Sequence, residues 1–335
     1  MTPTGIPVGL RSGITLKDVA SRAGVSTAAA SQALNGRGNM RPETRARIAA
    51  VATELGYAPN ASAAALRRGR TMSMGYAVSP PVDESAERRD ALSRARQLNA
   101  FVRESAERGF TVTVVPADRP DLVRRAYIDA LYLPDLDTHD PLLSEAERLG
   151  IPVVVNDIDL TDGVGVCVRT GYEESTRAAL DLLADGGAER IGLLAEVPYT
   201  PRDEIGERVY REWCREHVRA PLVVHGDVEH DRIDRSVGEL LALGVDAILS
   251  TYQEGPAIYL ELEHRGVVIP RDVQLVALCL HDAALAGRLG VTHVCAHPEA
   301  APRLMLDPLL GLLSADIGRR EVHLPWELVR GSTTR

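Results

Sequence analysis

The stretch TLKDVASRAGVSTAAASQALNGRG (Thr15–Gly38), with its continuation LGYAPNASAAALRRGR (Leu55–Arg70), decides how this chain is read. Thr15 precedes an apolar-periodic run and has Asp18 three places on, a helix start of the capping-box kind. Leu16, Val19, Ala20 and Ala23 fall at helical spacing, so one face is apolar. Gly24 stops that helix, because a residue free to turn left-handed is needed there. Val25 can plug the turn, Ser26 is the next N-cap, and Thr27 to Leu34 make a second short helix. Pro42 suits the first turn of a third helix over Glu43 to Leu55. Leu55-Gly56-Tyr57 ends it and Pro59 breaks the chain. Asn60 can cap a fourth short helix, Ala61 to Arg67. That piece is alanine-rich, so its propensity is high. It is shorter than the roughly 12–15 residues an isolated helix needs, so it should form only when something packs against it.

Helix, glycine turn, helix is the helix-turn-helix pattern, whose second helix lies in the DNA major groove. An ordinary helical hairpin in a core would use the same residues. TLKDVA, AGVS, ALNG, ETRARI, LGYAPN and AAALRRGR resemble, without a gap, the DNA-binding headpiece of the LacI/GalR family of transcription regulators. More weakly, WELVRGST is similar to that family's closing strand. The resemblance implies a homodimer on a near-palindromic double-stranded operator, most simply as a repressor. It makes the fourth helix a hinge helix that pairs with its mate in the minor groove. There Leu66 would wedge into the central base step, with Ala63 on the same DNA-facing segment. Such a wedge costs a few kcal/mol of unstacking and gains a bent duplex. Base reading falls to Thr27, Ala28 and Gln32. Gln can bond adenine bidentately, and Ala or a Thr methyl can contact a thymine methyl. Many family members carry larger or charged groups here, so more specificity should rest on the wedge and on DNA shape. Ser26, Ser31, Asn35, Thr44, Tyr57 and Asn60 fit phosphate contacts. A cap or turn bond explains Asn35 and Asn60 equally well. Thr15 and Leu16 join the DNA-facing set by the same resemblance.

Charge is divided in the way such a function needs. Among 335 residues the formal charge is −9, yet Arg11–Arg70 carries ten Lys/Arg against three acids, leaving +7 there and −16 elsewhere. A basic end on an acidic body is the footprint of phosphate binding confined to one region. The bland account of such a cluster is a solvated face. Cys167, Cys214, Cys279 and Cys295 are scattered with no C-x-x-C, which suggests reduced thiols in a cytoplasm. The opening MTPTGIPVGLRSG reads as a disordered tail and not as a signal peptide, and no stretch is long enough to span a bilayer.

After Thr71 short apolar runs alternate with amphipathic helical windows. Strands are expected at 74–78, 111–115, 129–133, 151–155, 191–195, 222–224, 246–250 and 273–278. Helices should fill much of 88–108, 140–149, 171–185, 201–218, 230–243, 254–265 and 298–314. Strands interleaved with helices mean parallel sheets covered on both faces. The fold expected is an all-α helix-turn-helix headpiece plus an α/β body of two doubly wound parallel-sheet lobes, periplasmic-binding-protein-like. Its divisions are a tail over 1–13, a DNA-binding domain over 14–58, and hinge helix and linker over 59–70. The N-terminal lobe takes 71–169 and 297–317, and the C-terminal lobe 170–296 and 318–335. By resemblance the chain crosses between lobes three times, near Arg169, Ala296 and Ile317. Ligands in such folds sit outside the carboxyl ends of the strands.

An enzyme is a poor match. No Gly-rich phosphate loop follows a strand, and G-x-S-x-G and H-E-x-x-H are absent. The reading from the other class is a ligand-binding protein or α/β enzyme with a merely structural N-terminal helical module. It predicts no steep salt-dependent DNA binding. His293, Cys295 and His297 alternate and would share a face on a strand. No fourth ligand is identifiable, so neither metal nor cofactor is assigned. Glu173-Glu174 and Asp157-Asp159 are explained by a solvated helix start and a strand-end loop. Sugar-binding family members hold hydroxyls with paired charged groups, since a buried polar ligand must replace its lost water hydrogen bonds. At the matching positions stand Asp157, Arg208, Gln253 and Cys279, and Ser79 joins them as an expected effector residue. Two usual carboxylate sites are thus lost to Gln253 and Cys279. The expected small-molecule effector is not an ordinary monosaccharide. It should be less hydroxylated, with an anionic group for Arg208. The competing reading is that the cleft binds nothing and the body only dimerises.

Overall fold

The computed structural model describes residues 14–34, 40–57, 70–79, 84–134, 140–160, 164–197, 201–227, 233–251, 255–278, 283–295, 297–314 and 318–335. The tail expected over 1–13 and the hinge helix expected over Ala61–Arg67 lie outside these residues. The chain divides into two compact units, Met1–Thr71 and Met72–Arg335.

In the first unit three helices, α1 (Leu16–Ala23), α2 (Thr27–Leu34) and α3 (Pro42–Glu54), share one small core. Thr15 caps α1 through the reciprocal box: Asp18 N–H donates to its hydroxyl, and its own N–H donates to Asp18 Oδ2 at 2.8 Å. Gly24 ends α1 at φ 65°, ψ 38°. Val25 N–H then reaches back to the Ala20 carbonyl at 3.0 Å, which turns the chain sharply into α2. The buried residues are mostly alanines, namely Ala20, Ala23, Ala30, Ala33 and Ala52, around Val19 and Ile48. Small side chains let short helices approach closely, and Ile48 fills the space that remains.

The second unit holds two six-stranded sheets. The first has the order β11-β5-β4-β3-β1-β2 and the second β12-β10-β9-β8-β6-β7. The first comprises β1 (Ser73–Val78), β2 (Thr111–Pro116), β3 (Ala130–Leu133), β4 (Val153–Asn156), β5 (Gly165–Arg169) and β11 (Arg319–His323). The second comprises β6 (Ile191–Val197), β7 (Leu222–Asp227), β8 (Ala247–Ser250), β9 (Gln274–Leu278), β10 (Thr292–Cys295) and β12 (Glu327–Val329). Every pairing is parallel except β12 against β10. Both faces of each sheet are covered. In the first, Tyr132 and Val154 face one cluster with Phe101 and Met305, while Leu131, Leu133, Val153 and Val155 face another with Leu142. In the second, Ile248 and Leu275 pack with Ile258 and Leu262, while Leu249 and Val276 pack with Leu180 and Trp213. Neighbouring residues of one strand thus serve opposite cores, which is why these strands read as unbroken apolar runs.

The chain passes between the two sheets three times: after Arg169, after Cys295, and between His323 and Glu327. The third passage differs from the expectation near Ile317, because Arg319–His323 pairs with β5 and so belongs to the first lobe. Among the described residues no helix is long and apolar enough to cross a membrane.

Candidate functional site

Two sites emerge, one in each unit. In the first unit the capped start of α1, the left-handed Gly24 turn and the Ser26 N-cap hold α2 in one orientation. Ser26 Oγ accepts from Ala29 N–H at 3.1 Å and its carbonyl accepts from Ala30 N–H at 2.9 Å. Ala30 and Ala33 face the core. Thr27, Ala28 and Gln32 are therefore exposed on the opposite face, and Ser31 is half-buried beside them. Ala28 and Gln32 lie one turn apart, as helical spacing requires. Thr15 and Ser26 are exposed, while Leu16, Thr44 and Tyr57 are half-buried. Asn35, Asn60, Ala63 and Leu66 lie outside the described residues. The outer face of α2 thus presents the methyls of Thr27 and Ala28 at its start and the Gln32 amide a turn later.

The second site is a cavity of about 420 Å³ in the body, within the size range of small-molecule pockets. Asp157, Arg169 and His323 bring to it the carboxyl ends of β4, β5 and β11. Gly171, Tyr172, Glu173 and Glu174 bring the start of helix Tyr172–Asp185, and Ile205 and Arg208 come from helix Pro201–Glu216. Both helices cover the second sheet, so the wall is contributed by both lobes.

Both of its arginines and most of its carboxylates are already engaged. Asp157 stands at φ 51°, which aims its carboxylate at Thr170. Thr170 N–H donates to Oδ1 at 2.9 Å and the Thr170 hydroxyl donates to Oδ2. Burial nevertheless holds the Asp157 carboxyl above its ordinary value, with the Thr170 bonds only opposing that rise. Arg169 pairs with Asp159, and with Glu321 at 2.9 Å. Arg208 donates to Glu173 at 2.7 Å and to Glu212 at 3.3 Å. The Glu173 bond, first among its neighbours, holds the Arg208 guanidinium above its ordinary value.

The cavity therefore gathers Asp157 and Arg208 from the expected effector set. Ser79 is not in its wall; it follows β1, and its carbonyl accepts from Arg94 at 3.1 Å. Gln253 and Cys279 lie outside the described residues. Glu173, Glu174 and Asp159 are exposed, as a solvated helix start and loop require, and together with half-buried Asp157 they also line the cavity. Around Arg208 stand two acidic partners, Glu173 and Glu212, and the wall carries four carboxylates against two arginines.

Sequence reading missed a largely buried polar relay that ends on Asn156, the neighbour of Asp157. The Tyr76 hydroxyl donates to Gln97 Oε1 at 2.9 Å, Gln97 Nε2 donates to the Tyr132 hydroxyl at 3.0 Å, and Tyr132 donates to Asn156 Oδ1 at 3.4 Å. Gln97 lies on the buried face of its helix in line with Phe101 and Ser105, and only its polar type hides that placement in the sequence.

Comparison with known proteins gives both sites a context. Residues 15–60 match the family model for bacterial regulatory proteins of the lacI family. Catabolite control protein A of Staphylococcus epidermidis is 22% identical over 276 residues, 79% of this chain and 82% of that protein. The HTH-type transcriptional regulator PtxS of Pseudomonas aeruginosa is 26% identical, with 96% of each chain covered. Among solved structures, the lac repressor dimer bound to operator and the anti-inducer ONPF superposes with a TM-score of 0.79 at 20% identity. That match covers 96% of this chain and 100% of the other.

Proposed function

We propose that this chain, a member of the LacI family of bacterial regulatory proteins and thus a DNA-binding transcription regulator, works as a homodimer on a near-palindromic operator and answers to a small molecule held in the body cavity. Its relatives are transcription regulators, and the chain is a regulator and not an enzyme. Repression is the direction we assign.

One observation carries the DNA half: Thr27, Ala28 and Gln32 stand exposed on a helix whose entry is fixed by the Gly24 turn. With α2 in the major groove, Gln32 is placed to bond adenine, and the Ala28 and Thr27 methyls to meet thymine. Ser26, Ser31, Thr44 and Tyr57 are assigned to phosphates. The +7 charge of Arg11–Arg70 supplies the attraction. The segment Ala61–Arg67 is assigned the hinge role, with Leu66 as the wedge. A solved relative is described as a dimer bound to operator and an anti-inducer, and that description supports both the dimer and the coupling.

The cavity supports a polar effector that is not anionic. Its carboxylates exceed its arginines, and half-buried Asp157 is an acceptor in its wall. A ligand offering hydroxyl or amine hydrogens would bond Glu174 and the lone pairs that Asp157 and Asp159 keep beside their existing partners, whereas an added carboxylate or phosphate would have to displace Glu173 from Arg208.

Fluorescence anisotropy with the DNA upstream of the gene, at two salt concentrations, tests the DNA half. Affinity should fall steeply with salt, with a slope of about −0.9 per phosphate neutralised. Absent or salt-insensitive binding would refute it. Thermal-shift screening with neutral polyols, amines and anionic metabolites tests the cavity, where shifts confined to anions would overturn this reading.

A further inference from the structure

The second and third passages between the lobes converge on a cluster that neither site uses. Cys295 closes β10, and Glu327 opens β12 directly opposite it in the antiparallel ladder. Backbone pairing thus holds these two side chains as cross-strand neighbours. His297 follows two residues after Cys295, at φ 42°, a left-handed conformation uncommon outside glycine and commoner for His than for most. That turn folds its ring back to the strand end. Cys295 Sγ lies 3.6 Å from His297 Nδ1, and Glu327 Oε1 lies 3.6 Å from Nε2. One donor atom from each of the three residues falls within 4.8 Å of the others. His293, which shares the strand alternation, is not part of this group; it is buried, with Nδ1 2.8 Å from the Val291 carbonyl.

Sγ and the Glu327 carboxylate face different nitrogens of the ring, so one ion would take Sγ and Nδ1 as they stand and draw Glu327 in toward them. A carboxylate at 3.6 Å from a ring nitrogen is beyond hydrogen-bonding distance. Metal–sulfur and metal–nitrogen bonds of about 2.3 and 2.05 Å at tetrahedral angles set a donor–donor edge of roughly 3.6 Å. Glu327 is exposed, so a side-chain rotation suffices to close the widest edge. Glu299 Oε1 lies 3.8 Å from the same Nδ1.

We propose that Cys295, His297 and Glu327 bind a borderline-soft divalent cation of the Zn²⁺ class, with solvent in the fourth position. Thiolate and imidazole favour zinc over the hard cations Mg²⁺ and Ca²⁺. The Cys295 thiol loses its proton on binding, so affinity rises with pH. The ion would tie two of the three inter-lobe passages together, since Cys295–His297 belongs to one and Glu327 ends another. The proposal does not depend on the chain's action on DNA.

The test uses the full-length protein. Zn²⁺ titrated against a chromophoric chelator should show one equivalent bound per chain. Co²⁺ in its place should give a thiolate-to-cobalt charge-transfer band. Cys295→Ser should abolish that band. Glu327→Gln, at an exposed position where folding is not at risk, should weaken Zn²⁺ binding at least ~10-fold. His264→Gln, a remote exposed histidine, should change neither. No stoichiometric binding, a band that survives Cys295→Ser, or an affinity that ignores Glu327→Gln would each overturn the proposal. In those cases His297 is only a base between two carboxylates.

Discussion

Gly171→Ala probes the passages between the lobes most directly. Gly171 holds a left-handed conformation, φ 77° and ψ 19°, just before helix Tyr172–Asp185. A Cβ built there would meet Trp326 Cδ1 at 2.2 Å and Nε1 at 2.9 Å. Trp326 sits in the third passage, so the missing Cβ is what lets the first and third lie against each other. Two penalties are separable. The left-handed backbone costs an alanine about 1–2 kcal/mol. Forcing the indole aside is overpacking, worth about 1–3 kcal/mol. Reduced freedom of the unfolded chain returns about 0.4–1 kcal/mol. A net loss of about 3 kcal/mol is expected. Urea denaturation followed by tryptophan emission measures it, because both tryptophans, Trp213 and Trp326, belong to the body. Repeating the substitution in a Trp326→Leu background removes the crowding and leaves the backbone strain. The cost should then drop to about 1 kcal/mol, a coupling of about 2 kcal/mol. Equal costs in the two backgrounds would show that the indole does not rest on Gly171, and the reasoning fails.

Four further outcomes are expected. Thr15→Ala removes the cap of α1 and should cost about 0.5–2 kcal/mol of headpiece stability, seen as faster amide exchange in α1; unchanged exchange contradicts the role of the box. Gln32→Ala should relax operator preference at one base pair by about 1–3 kcal/mol in competition binding, and an unaltered preference would reassign base reading to other residues. Leu66→Ser should weaken operator binding and reduce bending in a circular-permutation assay, whereas normal affinity on an unkinked operator would remove the wedge. Burial holds Asp157 above 3.8, so its contribution to stability is fully present below that pH and is lost as pH rises through the folded value. Wild-type stability minus that of Asp157→Asn should therefore decline with rising pH across that window, and a flat or rising difference would contradict the burial.

What the sequence disclosed and what it hid follow from the range of the forces involved. The headpiece is specified by local chemistry: Thr15 with Asp18, Gly24 and Pro42 each mark a boundary within one helical turn, and α1, α2 and α3 start and stop there. Strands buried on both faces, such as Leu131–Leu133 and Ile248–Leu249, announce themselves by continuous apolarity. β5 and β11 do not. Gly165 opens β5 because a Cβ there would meet the Val153 carbonyl at 2.4 Å, a demand set by another strand. β11, Arg319–His323, is a charged edge strand with little apolar signal, which is how edges avoid pairing with other chains. The cavity was half legible for the same reason. Asp157 and Arg208 could be placed by motif, but Arg169 meets Glu321 across 152 residues of sequence. Only the pairing of β11 with β5 brings His323 to the cavity that Asp157 lines.

The distribution of ion pairs around the cavity bears on how a ligand could act. Arg169, Asp159 and Glu321 are satisfied within the first lobe, and Arg208, Glu173 and Glu212 within the second. Each wall's arginine is therefore paired within its own lobe, and these pairs do not stitch the lobes together. A ligand reaching from Asp157 on one side to Glu174 on the other would make hydrogen bonds that exist in one lobe arrangement only. One or two such bonds, each worth about 0.5–1.5 kcal/mol and more when charged, match the ~1–3 kcal/mol of a usual allosteric coupling. A ligand confined to one wall, however tightly held, has no preference between arrangements and shifts nothing. Effector action should thus follow the reach of a molecule across the cavity and not its affinity alone. Truncated analogues that still bind would then be expected to leave operator affinity unchanged.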